Sequence, residues 1–495
     1  MSLNGFVKRL QDIMRNDAGI NGDAQRIEQM VWILFLKVYN AKENEWELVN
    51  DRYVSVIPEQ FRWNNWAVDR KDGKAMTGEV LLNFVNNELF SSLKNLEIDE
   101  NAPMSKIIVK SAFMDNNNYM KDGILLRQVV NVIDELDFGE YDNRHAFGEI
   151  YETILRSLQS AGNAGEFYTP RPVTEFMTDM VKPKLGDKIA DFACGTGGFI
   201  TSALKVLGRQ VRTVKDREIY NHSVYGMEKK ALPHLLCVTN MLLHDIDNPI
   251  IIHGNSLEKN VRDYKEADKF DVILMNPPYG GSEKEGVKIN FPADLQSSET
   301  ADLFMAVIMY RLKRNGRAAV IIPDGFLFGT DNAKVAIKKK LLEEFNLHTV
   351  VRMPHSVFAP YTPITTNILF FDKAKPTKEV WFYRLDMSDG FKHFSKTKPM
   401  KREHFSPVDE WWNDRAEITV DEFDKAKCYS VQELVERNYN IDLCGFPHEE
   451  EEILPPHDLI LQYKEKRASL NANIDRVLVE IEGIIGTDAV CEVQV

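Results

Sequence analysis

Apolar residues recur at intervals of three and four through the first third of the chain. The segment "DAQRIEQMVWILFLKVYNAKENEWEL" keeps this spacing over several turns, and "EVLLNFVNNELFSSLKNL", "GILLRQVVNVIDELDF" and "AFGEIYETILRSLQSA" repeat it. That period predicts amphipathic helices and a helical N-terminal domain over residues 1–150. An Asn/Gly-rich stretch, "SAGNAGEFYTPRP", follows, and from Asp187 the rhythm changes. Short apolar runs now alternate with helical stretches: "KIADFAC", "SVYGME", "PIIIHGN", "FDVILMN", "RAAVIIP", "HTVVRMP" and "TNILFFDK". Such alternation predicts an α/β domain over residues 151–395, a mostly parallel sheet with helices on both faces. The last two runs follow each other closely, which predicts an antiparallel strand at one edge.

Past residue 395 the chain turns polar, and it ends in "HDLILQYKEKRASLNANIDRVLVEIEGII". There Leu470, Ile474, Val477, Ile481 and Ile484 stand four and three residues apart in turn, a heptad-like stripe. Such a stripe either packs into the chain's own core or receives a partner's helix. Residues 396–495 are read as a C-terminal helical extension that does the latter.

Composition narrows the class. A length of 495 residues suits two to four domains, and 44% hydrophobic with 27% charged residues is the balance of a soluble globular protein. No apolar run is long enough to span a bilayer, so no membrane association is expected. Five cysteines without a C-x-x-C pair fit a reducing cytoplasm and predict no metal site. The net charge of −14 argues against a protein that grips DNA phosphates alone. A nucleic-acid role would borrow basic surface from a partner.

Three segments carry candidate chemistry. In "KIADFACGTGGF" a strand ends at Asp191, and Gly195, Gly197 and Gly198 precede a helix. Glycines there let the backbone turn sharply and approach a ligand at the sheet's carboxyl edge. The spacing departs from the G-x-G-x-x-G of pyrophosphate binders. Glu228, ending the next strand, is placed to accept hydrogen bonds from ribose hydroxyls, although it lies further on than the usual ~20 residues. The second segment, "NPPYG", ends the fourth strand. An Asn-Pro pair also starts ordinary loops. Yet an exocyclic amino group is a poor nucleophile, because its lone pair is delocalised into the ring. Two acceptors on its N–H bonds, the Asn276 side-chain carbonyl and the Pro277 main-chain carbonyl, would favour attack. Pro277 and Pro278 fix φ beforehand, and Tyr279 offers a face for an extruded base. The third segment, "GEFYTPRPV", reads either as a connector or as a cover over a ligand on the glycine loop.

In this order the three segments resemble DNA adenine-N6 methyltransferases, and more specifically the modification subunit of type I restriction–modification systems. "NMLLHDI", "GRAAVIIPDGFLF", "TNILFF" and "YNIDL" extend the resemblance over nearly the whole chain. It implies a Rossmann-like fold and S-adenosylmethionine as methyl donor. It implies that Glu166, Phe167, Tyr168, Thr169, Pro170, Arg171, Thr196, Gly197 and Gly198 surround the donor. Asp191 and Gly195 would shape its methionine side, Glu228 would hold its ribose and Asn255 would lie at its adenine. Asn276, Pro277, Pro278 and Tyr279 would be the catalytic tetrad, and Cys194 would have no catalytic duty. The partners implied are double-stranded DNA with a flipped adenine, a DNA specificity subunit shared by two modification subunits, and a restriction subunit. Methylation of a protein glutamine or an RNA base is the competing reading, since those enzymes also use N-P-P-Y/F; their chains are usually shorter. A catalytically dead scaffold is opposed by the intact Asp191, Glu228 and Asn276. No G-x-x-x-x-G-K-[ST] loop occurs, so an ATP motor would reside on another chain.

Overall fold

The computed structural model describes residues 3–136, 168–359, 362, 364–388, 391–395, 398–446 and 456–488. The expected helix "AFGEIYETILRSLQSA", the boundary near residue 150, and Glu166 and Phe167 lie outside these residues. The chain divides into two compact units, Met1–Gly445 and Phe446–Val495.

The helical pattern at the start of the chain is borne out by helices Gly22–Val49, Met104–Met114 and Gly123–Asp134, among others. Helix Gly22–Val49 is buried nearly all round its middle, with Trp32, Phe35 and Tyr39 at the centre of its packing. It is therefore a core helix, and its neighbours wrap around it. Asp122 caps the helix Gly123–Asp134 by accepting from the backbone N–H groups of Ile124 and Leu125.

Among the described residues the sheet has ten strands. They are β1 (Ile189–Asp191), β2 (Val224–Glu228), β3 (Ile250–His253), β4 (Phe270–Met275), β5 (Leu312–Pro323), β6 (Asn346–Arg352), β7 (Thr366–Asp372), β8 (Glu379–Arg384), β9 (Ile418–Val420) and β10 (Phe423–Ser430). Their order is β3-β2-β1-β4-β5-β7-β6-β8-β10-β9. Strands β3, β2, β1, β4 and β5 run parallel. Consecutive residues of β4 enter opposite cores: Val272 and Leu274 join the core that contains the N-terminal helices, and Ile273 and Met275 join the other. Burial on both faces is why this strand reads as an unbroken apolar run.

Two expectations are corrected here. The antiparallel strand β7 does not lie at an edge; it is inserted between β5 and β6 and pairs antiparallel with both. Its residues Thr366 to Phe371 are all buried, which only an interior position provides. The sheet also does not end at residue 395. Strand β10 pairs antiparallel with β8, and the compact unit runs on to Gly445. In β10 only Ala426 is buried, so the strand is recruited by the free backbone edge of β8 and has little apolar pattern of its own.

The helical part is fastened to the sheet within this unit. Helix Gly22–Val49 packs on helix Ala231–Leu243, which follows β2. Beside that contact the buried Lys42 places its Nζ 2.6 Å from Asp245 Oδ1 and 3.0 Å from Glu45 Oε2. The second unit contains the helix Pro456–Asp488, on which Leu470, Ile474, Val477 and Ile481 are exposed. The side chain of Ile484 is outside the described residues. Among the described residues no helix is long and apolar enough to cross a membrane.

Replacing Lys42 by Met keeps the stem and removes the charge between two carboxylates. Because those carboxylates are partly solvated, Lys42→Met is expected to lower the unfolding free energy by about 1–3 kcal/mol, below the full cost of breaking a buried pair. Urea denaturation with an unchanged midpoint would show that this contact contributes nothing.

Candidate active site

The strand order reverses between β1 and β4, and the loops leaving their carboxyl ends part there. In open α/β sheets this is where ligands bind. A cavity of about 400 Å³ lies at this place. Tyr168, Thr169, Asp191, Gly195, Thr196, Gly198, Glu228 and Asn255 line it, as do Asn276, Pro277, Pro278 and Tyr279. Of the remaining candidates, Pro170 and Arg171 begin the helix Arg171–Val181 and, like Gly197, do not line the cavity. Arg171 donates to Thr201 Oγ1 at 2.7 Å, tying its helix to the one that follows the glycine loop.

The glycine loop is held from several sides. Gly197 has φ 83°, and a Cβ there would stand 2.9 Å from Cys237 Sγ, so any side chain would meet both strain and contact. Asn240, within "NMLLHDI", donates from Nδ2 to the Thr196 carbonyl at 3.2 Å. Gly195 N donates to Glu228 Oε2 at 3.0 Å, and Lys230 N donates to Oε1 at 2.8 Å. Glu228 therefore shapes the loop as well as facing the cavity. Asn255 Oδ1 accepts from Leu257 N at 3.1 Å, so its carbonyl is occupied by a turn.

Asp191 and Glu228 are both buried carboxylates. Burial pushes the Asp191 carboxyl up to about 8; the Ala193 backbone N–H opposes this and the Glu228 charge adds to it. Burial also raises Glu228, against the hydrogen bonds from the Lys230, Gly195 and Lys229 backbone. A pair of buried acids in a cavity favours a ligand that brings positive charge.

Asn276 follows β4 directly. Its Nδ2 donates to Thr169 Oγ1 at 3.1 Å, which fixes the amide plane. Its Oδ1 is buried and has no hydrogen-bond partner among the described residues. A buried acceptor left unsatisfied costs about 1–3 kcal/mol, so it marks a place where a donor belongs. Thr169 thus links the segment before the glycine loop to the one after β4, a contact between residues far apart in the chain.

The cavity includes residues that the sequence pattern did not single out. Phe192, Phe199, Phe304 and Phe358 supply apolar wall, and Lys229 and Glu283 meet at 3.3 Å. Cys194, expected to have no catalytic duty, also borders it. Phe358 comes from the loop after β6, where nothing in the local pattern distinguishes it from a core phenylalanine. Three segments that carry the resemblance meet through Arg352. Its guanidinium donates to Asp324 of "IPDGF" at 3.1 Å and to Asp442 of "YNIDL". Asn367 of "TNILFF" donates to the same Asp324 at 2.6 Å.

Comparison with known proteins agrees with this geometry. Residues 142–452 match the family model for N-6 DNA methylases, and residues 3–133 match that for the HsdM N-terminal domain. The EcoEI type I restriction enzyme methylase subunit of Escherichia coli is 50% identical over 95% of this chain and 96% of its own length. The StySPI methylase subunit of Salmonella potsdam is 28% identical, covering 83% of this chain and 76% of its own. A crystal structure of a modification subunit ascribed to a type I restriction enzyme of Vibrio vulnificus superposes with TM-score 0.76 at 40% identity, over 87% of this chain and 92% of that one. The chain belongs to the methylase subunits of type I restriction enzymes, in the N-6 DNA methylase family. Its activity is adenine-specific DNA methyl transfer, and the protein-glutamine and RNA-base alternatives are not favoured. The family points to S-adenosylmethionine as the donor class.

For Asp191 the folded state holds its proton to higher pH than the unfolded chain does. Between the ordinary carboxylate range and about 8 the folded state binds more protons, so stability falls as pH rises. Glu228, shifted in the same direction, adds to this slope. In the donor-free methyltransferase, urea denaturation is expected to show a loss of stability from about pH 5 to pH 8 that is smaller in Asp191→Asn. Identical slopes would mean that Asp191 is ionised throughout.

Proposed function

We propose that this methyltransferase subunit binds S-adenosylmethionine in the cavity between β1 and β4 and presents a flipped adenine to it at Asn276. The observation that carries this reading is the buried Oδ1 of Asn276, without a hydrogen-bond partner among the described residues and held in place by Thr169. The donor set fits the cofactor. Asp191 and Glu228 favour its positive charge, Gly195, Thr196 and Gly198 allow close backbone approach, and Phe192 and Phe199 give apolar wall. Asn255 keeps its amide nitrogen for the adenine side. S-adenosylmethionine, when bound, supplies an electrophilic methyl group on a positively charged sulfur.

The chain's own residues do the rest. Asn276 Oδ1 and the Pro277 carbonyl accept the two N–H bonds of the target amino group and draw its lone pair out of conjugation. The two prolines hold those acceptors before substrate arrives. Tyr279 and Phe358 both border the cavity and offer ring faces to an extruded base.

Target choice belongs to other chains. With net charge −14, the subunit releases few counterions on DNA and binds it weakly alone. It assembles with a DNA specificity subunit, two modification subunits to one, and with a restriction subunit in the full complex, in the cytoplasm. The exposed stripe Leu470, Ile474, Val477 and Ile481 receives a helix of the specificity subunit. By function, the sheet-bearing domain carries catalysis and the terminal helix carries assembly.

Asn276→Ala is expected to abolish methyl transfer while calorimetry finds donor affinity nearly unchanged. Tyr279→Ala should weaken target capture by about 1–3 kcal/mol, and Tyr279→Phe should be mild, since stacking needs the ring. Transfer surviving in Asn276→Ala sinks the reading.

A chain ending after Pro456 is expected to fold and bind donor but neither copurify with the specificity subunit nor methylate DNA. Site-specific methylation by the shortened chain would remove the need for a partner. Precipitation or lost donor binding would place the stripe in the chain's own core.

A further inference from the structure

The catalytic segment Asn276–Tyr279 leaves β4 and continues into an excursion that ends where helix Thr300–Arg311 begins. The excursion is pinned back near its own start. Thr300 N donates to the Gly281 carbonyl at 3.1 Å, and Ser282 pairs with Glu299 as an antiparallel bridge. A Cβ on Gly281 would stand 3.0 Å from Thr300 Oγ1, so the Thr300 side chain packs directly on Gly281.

What fixes the start of that helix is a single cation from a distant element. Lys334 lies in the first turn of helix Asn332–Glu344 and is buried. Its Nζ stands 2.8 Å from Glu299 Oε1, 3.0 Å from Asp302 Oδ2 and 3.3 Å from Asp331 Oδ2. Asp302 is fully buried and also accepts from Ser297 Oγ at 2.6 Å. The Lys334 stem passes so near Gly329 that a Cβ there would be 2.4 Å from its Cδ, which makes the backbone at Gly329 part of the lysine's seat.

We propose that Lys334 is a positioning residue for methyl transfer: through Glu299 and Asp302 it fixes the start of helix Thr300–Arg311, and through Thr300–Gly281 and Ser282–Glu299 it holds Asn276–Tyr279 in register. The inference rests on the role given above to Asn276. Lys334 touches neither donor nor adenine. Its effect is on the turnover of bound substrate, since misplacing reacting groups by about 1 Å can cost about a hundredfold in rate.

The test uses the full chain assembled with its specificity subunit, on DNA carrying a mapped target site. Lys334→Met is expected to slow single-turnover methyl transfer about tenfold or more, with the dissociation constant for S-adenosylmethionine within about twofold of wild type. Backbone amides of residues 279–283 should exchange hydrogen faster. Glu299→Gln, a half-exposed position that does not threaten folding, should slow transfer several-fold with donor binding again unchanged. Lys339→Met on the same helix should match wild type. If Lys334→Met does not fold, Glu299→Gln decides. Wild-type rates in Glu299→Gln, or donor binding lost in parallel with rate, overturn the proposal. Asn276→Ala is run beside them: transfer surviving there removes the reading of the site and this inference with it. Its loss there, with wild-type rates in the Lys334 and Glu299 variants, removes the inference alone.

Discussion

Strands β1 and β4 lie side by side and parallel, yet the chain leaves them in opposite directions, β1 toward β2 and β4 toward β5. Their carboxyl ends cannot both be covered by one crossover, and a gap is left between the loops. The glycine loop occupies one bank and Asn276–Tyr279 the other. Contacts between the banks hold them at a working distance. Thr169 reaches Asn276 across the gap, and Lys229 meets Glu283 at its rim.

This geometry carries a cost that the rest of the fold offsets. Two carboxylates, Asp191 and Glu228, are buried at the gap, and among the described residues the Asn276 side-chain carbonyl has no partner. Each would be less costly on the surface. They are kept in place by a sheet buried on both faces, with β4 contributing side chains to two cores at once. Glu228 shows how the strain is shared, since the backbone N–H groups of Gly195 and Lys230 partly compensate its burial while it shapes the glycine loop.

The antiparallel half of the sheet does a different task. Inserting β7 between β5 and β6 brings Asn367 beside Asp324, and Arg352 at the end of β6 joins both to Asp442. The loop carrying Phe358 leaves β6 directly after Arg352. The segments "IPDGF", "TNILFF" and "YNIDL", distant in sequence, become one ionic joint next to the catalytic strand.

Much of this was legible in the chain itself. Periodicities of two kinds marked the helical N-terminal part and the alternating strands, because side-chain burial repeats locally in helices and in strands buried on both faces. The residue types at Asp191, Gly195, Glu228 and Asn276 pointed to the chemistry, since glycine freedom, a strand-end carboxylate and a proline-stiffened amide are local properties. What periodicity could not supply was the neighbour of each element. The interior place of β7 and the recruitment of β10 to β8 depend on which backbone edge is free. The cavity roles of Phe358 and Glu283 depend on loops that meet only in space. Lys334 sits in an ordinary-looking "NAKVAIKKK" run, where nothing in the pattern separates it from the other lysines. Only the folded chain surrounds that one ammonium with Glu299, Asp302 and Asp331, because ion pairing over such separations is decided by packing and not by the spacing of residues along the chain.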